Sequence, residues 1–197
     1  ALSGKYVENA VNDGVRQAYE NFRKSSVHPL SRKNSGDNTP AIIHTRVVKG
    51  DKVKVSCMMK GFGSENMSRL FMLTPADGVE GVVEKVVETV KDAGSCPCPP
   101  VILGVGVGGT MEKAAIMSKH ALLNDLDKEN PDEYLSSLEK EMLEKINALG
   151  IGAEGFRGDV SALRVFIETE NTHIAGLPVA VTVQCHCSRH GERIIEG

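Results

Sequence analysis

The chain has no tryptophan, and its aromatic content is only 4%. That excludes a core of stacked rings, so the interior must be aliphatic, built from Val, Ile, Leu, Ala and Met. Also missing is any apolar run of about 18 residues, the length a membrane-crossing helix needs. The opening ALSGKY carries neither a secretory apolar segment nor the bias of an organelle leader, so the cytoplasm is the expected compartment. Charge of one sign is lacking too. With 23 basic and 26 acidic side chains and a formal charge of −3, the sequence offers no general attraction to nucleic acid or to an anionic membrane. A small anionic ligand would therefore need a local cationic pocket. The cysteines argue against a secreted disulfide framework as well, because the five of them, at positions 57, 96, 98, 185 and 187, are odd in number and unevenly spread. Reduced thiols, some of them able to bind metal, are the better reading.

What is present suits one compact unit with a real core: 197 residues, of which 41% are hydrophobic, with no internal repeat. Val7, Val11, Val15, Ala18 and Phe22 recur at helical spacing and predict an amphipathic helix over 7–22. Residues 25–40 are dense in turn formers and predict a polar loop of the kind that carries binding chemistry. The β-branched runs 41–48 and 53–59, separated by KGDK, predict a β-hairpin. A second polar loop is expected at 61–66, then a helix from 78 to 93 with Asp77 as its N-cap and a valine stripe facing the core. The segment SCPCPP at 95–100 cannot be helix or central strand, since its three prolines fix φ and remove backbone donors. Beyond it the pattern predicts a buried strand over 101–107, a turn at Gly108 and Gly109, and a helix over 111–123. A helix beginning near Pro131 and running to Leu149, a glycine-rich stretch at 150–158, and strands over 162–168 and 179–184 complete the chain. The expected fold is α/β, a single domain with a mixed β-sheet flanked by helices and its loops gathering the thiols on one edge.

Five segments and one histidine are candidates for chemistry. Cys98, held between Pro97 and Pro99 on a stiff loop, suits a thiolate metal ligand, with incidental thiols in a tight turn as the alternative. The segment QCHCSRH at 184–190 suits a zinc site, a cluster ligand with anion-binding neighbours, or an ordinary polar strand end. GVGVGG at 104–109 matches G-x-G-x-x-G between strand and helix, but no second strand ending in an acidic residue follows, which speaks against a dinucleotide site. RKNSGDNT at 32–39 offers donors suited to a carboxylate, or a solvated turn. The loop at 61–66 offers backbone N–H groups to an oxyanion, and His173 is an acid, base or donor candidate.

Taken in order, PLSRKNSGDNTP, KGFGSENM, CPPVILGVGVGGT, HIAGLPVA and VQCH span nearly the whole chain. Together they resemble the successive signatures of the class I iron–sulfur fumarate hydratase and tartrate dehydratase family, in its alpha subunit or N-terminal catalytic domain. The resemblance implies a 4Fe-4S hydro-lyase interconverting fumarate and L-malate, a step of the tricarboxylic acid cycle, with L-tartrate dehydration as the alternative. It implies Cys98 and Cys185 as cluster ligands and leaves Cys57, Cys96 and Cys187 without a family role. It implies Arg32 as a carboxylate-binding arginine, Asn34 and Asn38 as neighbours, Gly61 and Gly63 as a loop of backbone donors, and His173 as a substrate contact. The family's remaining cluster cysteine lies in a Cys-Gln-Asp-Thr-Gly motif that these residues do not contain, so an upstream segment is expected. The proton-abstracting residue of such enzymes belongs to the beta subunit or C-terminal domain. The implied partners are therefore that subunit or domain, a dicarboxylate substrate and an oligomer, with residues 1–197 inactive alone. A non-catalytic zinc or nucleotide-binding module is the competing class.

Overall fold

The computed structural model describes residues 6–187 and 189–196. Ser188, inside QCHCSRH, and residues 1–5, on which the leader reading rests, lie outside them. The chain divides into two compact units, one of residues 1–53 with 194–197 and one of residues 54–193.

The first unit holds helix α1 (Val7–Ala18), which buries none of its residues. The helix ends four residues short of the predicted stripe, and Phe22 is left exposed. The polar loop is as expected. It is closed by a bridge between Val27 and Asn34 and tied to α1 by an Arg16–Asp37 ion pair of 2.7 Å. The guanidinium of Arg16 is the chief cause holding the Asp37 carboxyl far below its usual range. The predicted strand over 41–48 does not form: Ile42, Val47 and Val48 are exposed. β-propensity describes how well a side chain suits a pleated, half-buried surface, and no such surface receives this run.

The second unit is a helix-flanked mixed sheet, as predicted. Strand β1 (Val53–Met59) is followed by a short helix, α2 (Phe62–Glu65), within the expected loop, and by β2 (Arg69–Leu73). A 3-10 turn at Pro75–Asp77 leads into α3 (Gly78–Ala93), then β3 (Val101–Gly108) and α4 (Met111–Ala121). Helix α5 (Glu133–Asn147), β4 (Ala162–Glu170), β5 (Leu177–Gln184) and β6 (Arg189–Ile195) complete the order. The hairpin partner of β1 is thus not 41–48 but β6, a strand whose sequence gives no alternation to find it by. Asp77 does not cap α3 with its side chain. Its carboxylate instead accepts from the backbone N–H and hydroxyl of Thr74, closing the preceding turn. Pro131 likewise lies outside α5, whose N-cap is Asp132, accepting from the Tyr134 and Leu135 amides.

The main sheet runs β2-β5-β3-β4, with β3 parallel to β4 and antiparallel to β5. Side chains alternate between its faces. Val101, Leu103, Val105, Val179, Val181 and Val183 pack with α3 and α5 residues such as Val86, Val90, Met142 and Ile146. On the other face, Ile102 and Phe166 meet Ala121 of α4 and Leu122 just past its end. Gly104 and Gly106 also face α4, and a Cβ on either would collide with the carbonyl oxygen of Ser118 or Ala114. The GVGVGG run is therefore a packing device that lets a helix lie directly on a strand, not a phosphate cradle. Among the described residues no helix is long and apolar enough to cross a membrane.

Candidate thiol site

The antiparallel register sets Ile102 of β3 opposite Gln184 of β5, so β5 ends where β3 begins. Cys98, three residues before β3, and Cys185, one residue after β5, are thereby brought to the same end of the sheet. Within the thiol loop Pro97 and Pro99 are buried while Cys96 and Cys98 are exposed, so the rings anchor the loop and the thiols face out. Cys98 adopts φ 55°, a left-handed conformation that costs a residue with a β-carbon about 1–3 kcal/mol and persists only where its surroundings enforce it.

Three segments do so. The loop after β1 lays Gly63 against the Cys96 carbonyl at 3.5 Å from where a Cβ would stand. The stretch after α5 packs Gly155 onto Ser95 so closely that a Cβ would not fit, and the Glu154 amide donates to the Pro99 carbonyl at 2.7 Å. The residues after β5 bring the His186 ring, whose Nδ1 lies 3.0 Å from the Cys98 carbonyl oxygen. Burial, then the Glu154 carboxylate, then Cys185 push the Cys98 thiol above its ordinary value.

A cation is built into the same end. Lys60, immediately before the Gly61–Gly63 loop, donates to the Val183 carbonyl at 2.5 Å and the Ser64 hydroxyl at 2.8 Å, and lies 3.4 Å from Glu65. Burial pulls its pKa down against the opposing pull of Glu65, and Cys185 is among the groups that act on it. Burial raises Glu65, but its hydrogen bond to Lys119 and the charges of Lys119 and Lys60 outweigh that, leaving the carboxyl below its usual range. Gln184, fully buried beside Cys185, donates to the Met59 carbonyl at 3.1 Å, while its Oε1 finds no partner among the described residues.

Gly61, Gly63, Cys98 and Cys185 thus share one end of the sheet. His173 does not join them. It lies in the turn before β5, so the eight residues of that strand, at about 3.3 Å each, put it roughly 25 Å from Cys185. There its Nδ1 accepts from the Ala175 amide beside the Gly108–Gly109 turn. Arg32, Asn34 and Asn38 belong to the first unit. Arg32 is exposed at φ 58°. Asn34 donates to the Lys24 carbonyl and accepts from Gly36, and Asn38 donates to the Arg23 carbonyl and accepts from Ser25 and Ser26. Both amides are spent on the loop's own shape. Lys60, Glu154 and His186 were not singled out by sequence reasoning. Lys60 flanks a glycine loop and His186 follows a candidate thiol, but neither position signals its contacts.

A sheet that gathers an exposed thiol, a part-buried thiol and a half-buried cation at one end defines this α/β domain. The chain belongs to the fumarate hydratase (Fumerase) family, whose model matches residues 1–194. It is 44% identical over 193 residues to a "Putative L(+)-tartrate dehydratase subunit alpha" of Methanocaldococcus jannaschii, covering 94% of this chain and 68% of that protein. It is 34% identical over 163 residues to the "L(+)-tartrate dehydratase subunit alpha" of Escherichia coli O157:H7, and 32% identical over 163 residues to that of strain K12. Each of these alignments covers 83% of this chain, which spans only 54% of either E. coli protein.

Proposed function

We propose that the chain, over residues 1–197, is the thiol-bearing part of the alpha subunit of an iron–sulfur hydro-lyase acting on a hydroxy dicarboxylate. The observation that carries this reading is the convergence of Cys98 and Cys185 with Lys60 and the Gly61–Gly63 loop at one end of the sheet. The motifs alone put fumarate first. The relatives' names favour L(+)-tartrate, which now leads, and the family's own description keeps fumarate and L-malate as the second reading.

The donor set suits a 4Fe-4S cluster in part. Two thiols on rigid supports fit thiolate ligation, while among the described residues no group of three Cys, His, Asp or Glu side chains is placed to hold a metal ion, so further ligation must come from elsewhere. When bound, the cluster supplies a Lewis acid to the leaving hydroxyl. Cys98 and Cys185 would hold it as thiolates, and because Cys98 favours its proton, loading would release protons and weaken at low pH. Lys60 holds positive charge at the site, and the amides of Gly61 and Gly63 are donors for a substrate carboxylate. Arg32 is the guanidinium assigned to a second carboxylate, with Asn34 and Asn38 shaping the loop that carries it. The general base comes from the beta subunit or C-terminal domain, as the relatives' designation as alpha subunits supports. In an oligomer, His173 serves the thiol site of another copy, since its own lies a strand's length away. The cytoplasm, reducing and free of disulfide pressure, suits these thiols.

The test is anaerobic reconstitution of the full-length protein with its partner subunit, followed by metal analysis and assays on L(+)-tartrate, L-malate and fumarate. About four iron and four sulfide per alpha chain are expected, with turnover of L(+)-tartrate above that of L-malate and none by the isolated chain. One tightly held zinc without iron would instead establish the non-catalytic module.

A further inference from the structure

The Cys98 carbonyl is an unusual acceptor. It receives the ring of His186 at 3.0 Å and the His186 backbone N–H at 3.5 Å, so one residue grips one carbonyl twice. A carbonyl has no proton to give, so ring Nδ1 carries the hydrogen. The same Nδ1 lies 3.4 Å from Oε1 of Glu154, whose own amide donates to the Pro99 carbonyl, one residue further along the thiol loop. Cys98 and Glu154 are both non-glycine residues in the left-handed region, at φ 55° and φ 53°. Two strained backbones therefore meet at a single imidazole. Such conformations persist only where other contacts impose them, and the loop's internal bond, from the Cys98 amide to the Ser95 carbonyl at 3.1 Å, does not reach past Cys98.

We propose that His186 is a positioning residue for Cys98: its ring and backbone N–H groups fix the left-handed turn that sets the Cys98 thiol beside Cys185, with Glu154 orienting the ring. The thiol of Cys185 is fixed by β5, which precedes it, so His186 joins the free loop ligand to the sheet-borne one. This rests on reading Cys98 and Cys185 as paired ligands, and the test separates the two ideas by measuring thiol geometry without metal.

In the full-length protein with Cys57, Cys96, Cys187 and every cysteine outside residues 1–197 replaced by serine, dibromobimane, which becomes fluorescent on bridging two neighbouring thiols, reports on Cys98 and Cys185 directly, while iron retention is read in the protein with its other cysteines intact. His186→Ala is expected to slow bridging about tenfold and to lower iron retained under chelator challenge by a similar factor. His186→Asn, whose amide nitrogen replaces Nδ1, restores both to within about twofold of the parent. Should the alanine variant not fold, His186→Phe, which keeps the ring volume without the donor, carries the same expectation. Equal bridging in the parent, His186→Ala and His186→Phe would overturn the proposal, as would failure of His186→Asn to rescue. If bridging depends on His186 while no variant, nor the parent, takes iron, the positioning role stands and the hydro-lyase reading falls.

Discussion

The two ends of the four-stranded sheet each carry a glycine-containing segment and a histidine, yet they are built differently. At the thiol end, loops from three separate parts of the chain bond or pack onto residues 95–99: Gly63 on Cys96, Gly155 and Glu154 on Ser95 and Pro99, and His186 on Cys98. At the far end the Gly108–Gly109 turn receives one side-chain bond, from the Thr172 hydroxyl to the Gly109 carbonyl, and His173 is exposed. Strain is tolerated where long-range contacts converge, and the His186 contact exists because β5 runs antiparallel to β3 and returns the chain to its start. The far end is a connection between strands, whereas the thiol end is a preorganised meeting of loops.

Removing either thiol is the most severe way to break that contrast. Cys98→Ser and Cys185→Ser are each expected to lose tightly held iron and about 100-fold or more of hydro-lyase activity. Cys57→Ser, Cys96→Ser and Cys187→Ser should stay within about twofold, since among the described residues no contact ties their side chains to the paired thiols. Metal analysis beside rate assays on the reconstituted full-length enzyme decides this. Gly104→Val and Gly106→Val attack the scaffold between the ends. Because each Cβ meets backbone of α4 that cannot swing aside, a loss of about 3 kcal/mol or more in denaturant unfolding is expected. Nucleotide ligands should leave that stability unchanged.

These glycines also show what was legible in the sequence. The strand, the turn and the helix were readable from apolar periodicity, but the reason for the glycines was not, since G-x-G-x-x-G is compatible with a phosphate cradle or with close helix packing. The polar loop, the stiff thiol loop and the buried valine strands were readable because local chemistry dictates them. The failed strand at 41–48 and the β1–β6 pairing were not, because pairing is decided by what the rest of the fold presents. At the site, Cys98 and Cys185 were visible as residue types and through the resemblance. The grip of His186 on the Cys98 carbonyl, and of Lys60 on the Val183 carbonyl, are long-range contacts that leave no periodic or compositional trace.

Whether the ends ever cooperate is testable by mixing. If His173 of one copy serves the thiols of another, His173→Ala and Cys185→Ser proteins are each inactive, yet reassembled together they recover roughly a quarter of wild-type activity. Half of the random dimers then carry one intact site of two. Recovery of nothing would confine each end to its own copy and leave His173 to the turn it closes. The readout is specific activity after denaturation-free subunit exchange, compared with each variant alone.

The smallest expected effect concerns what holds the cation of the thiol end. Glu65 lies between Lys60 and Lys119, and its depressed pKa means that the folded state holds its proton less tightly than the unfolded chain. The stability it contributes is therefore fully present above the unfolded value near 4.5 and is lost as pH falls through the lower folded value. Glu65→Gln keeps the shape but leaves the Lys60 ammonium, which is only 14% exposed, without its counter-charge. A loss of about 1–2 kcal/mol is expected at neutral pH, reduced from the fully buried case by solvent screening. The gap between wild type and variant should then close on going from about pH 6 to about pH 3. A gap independent of pH would mean that Glu65 acts through packing and hydrogen-bond geometry alone, and that the cation of the thiol end is held by the Val183 carbonyl and Ser64 hydroxyl without it.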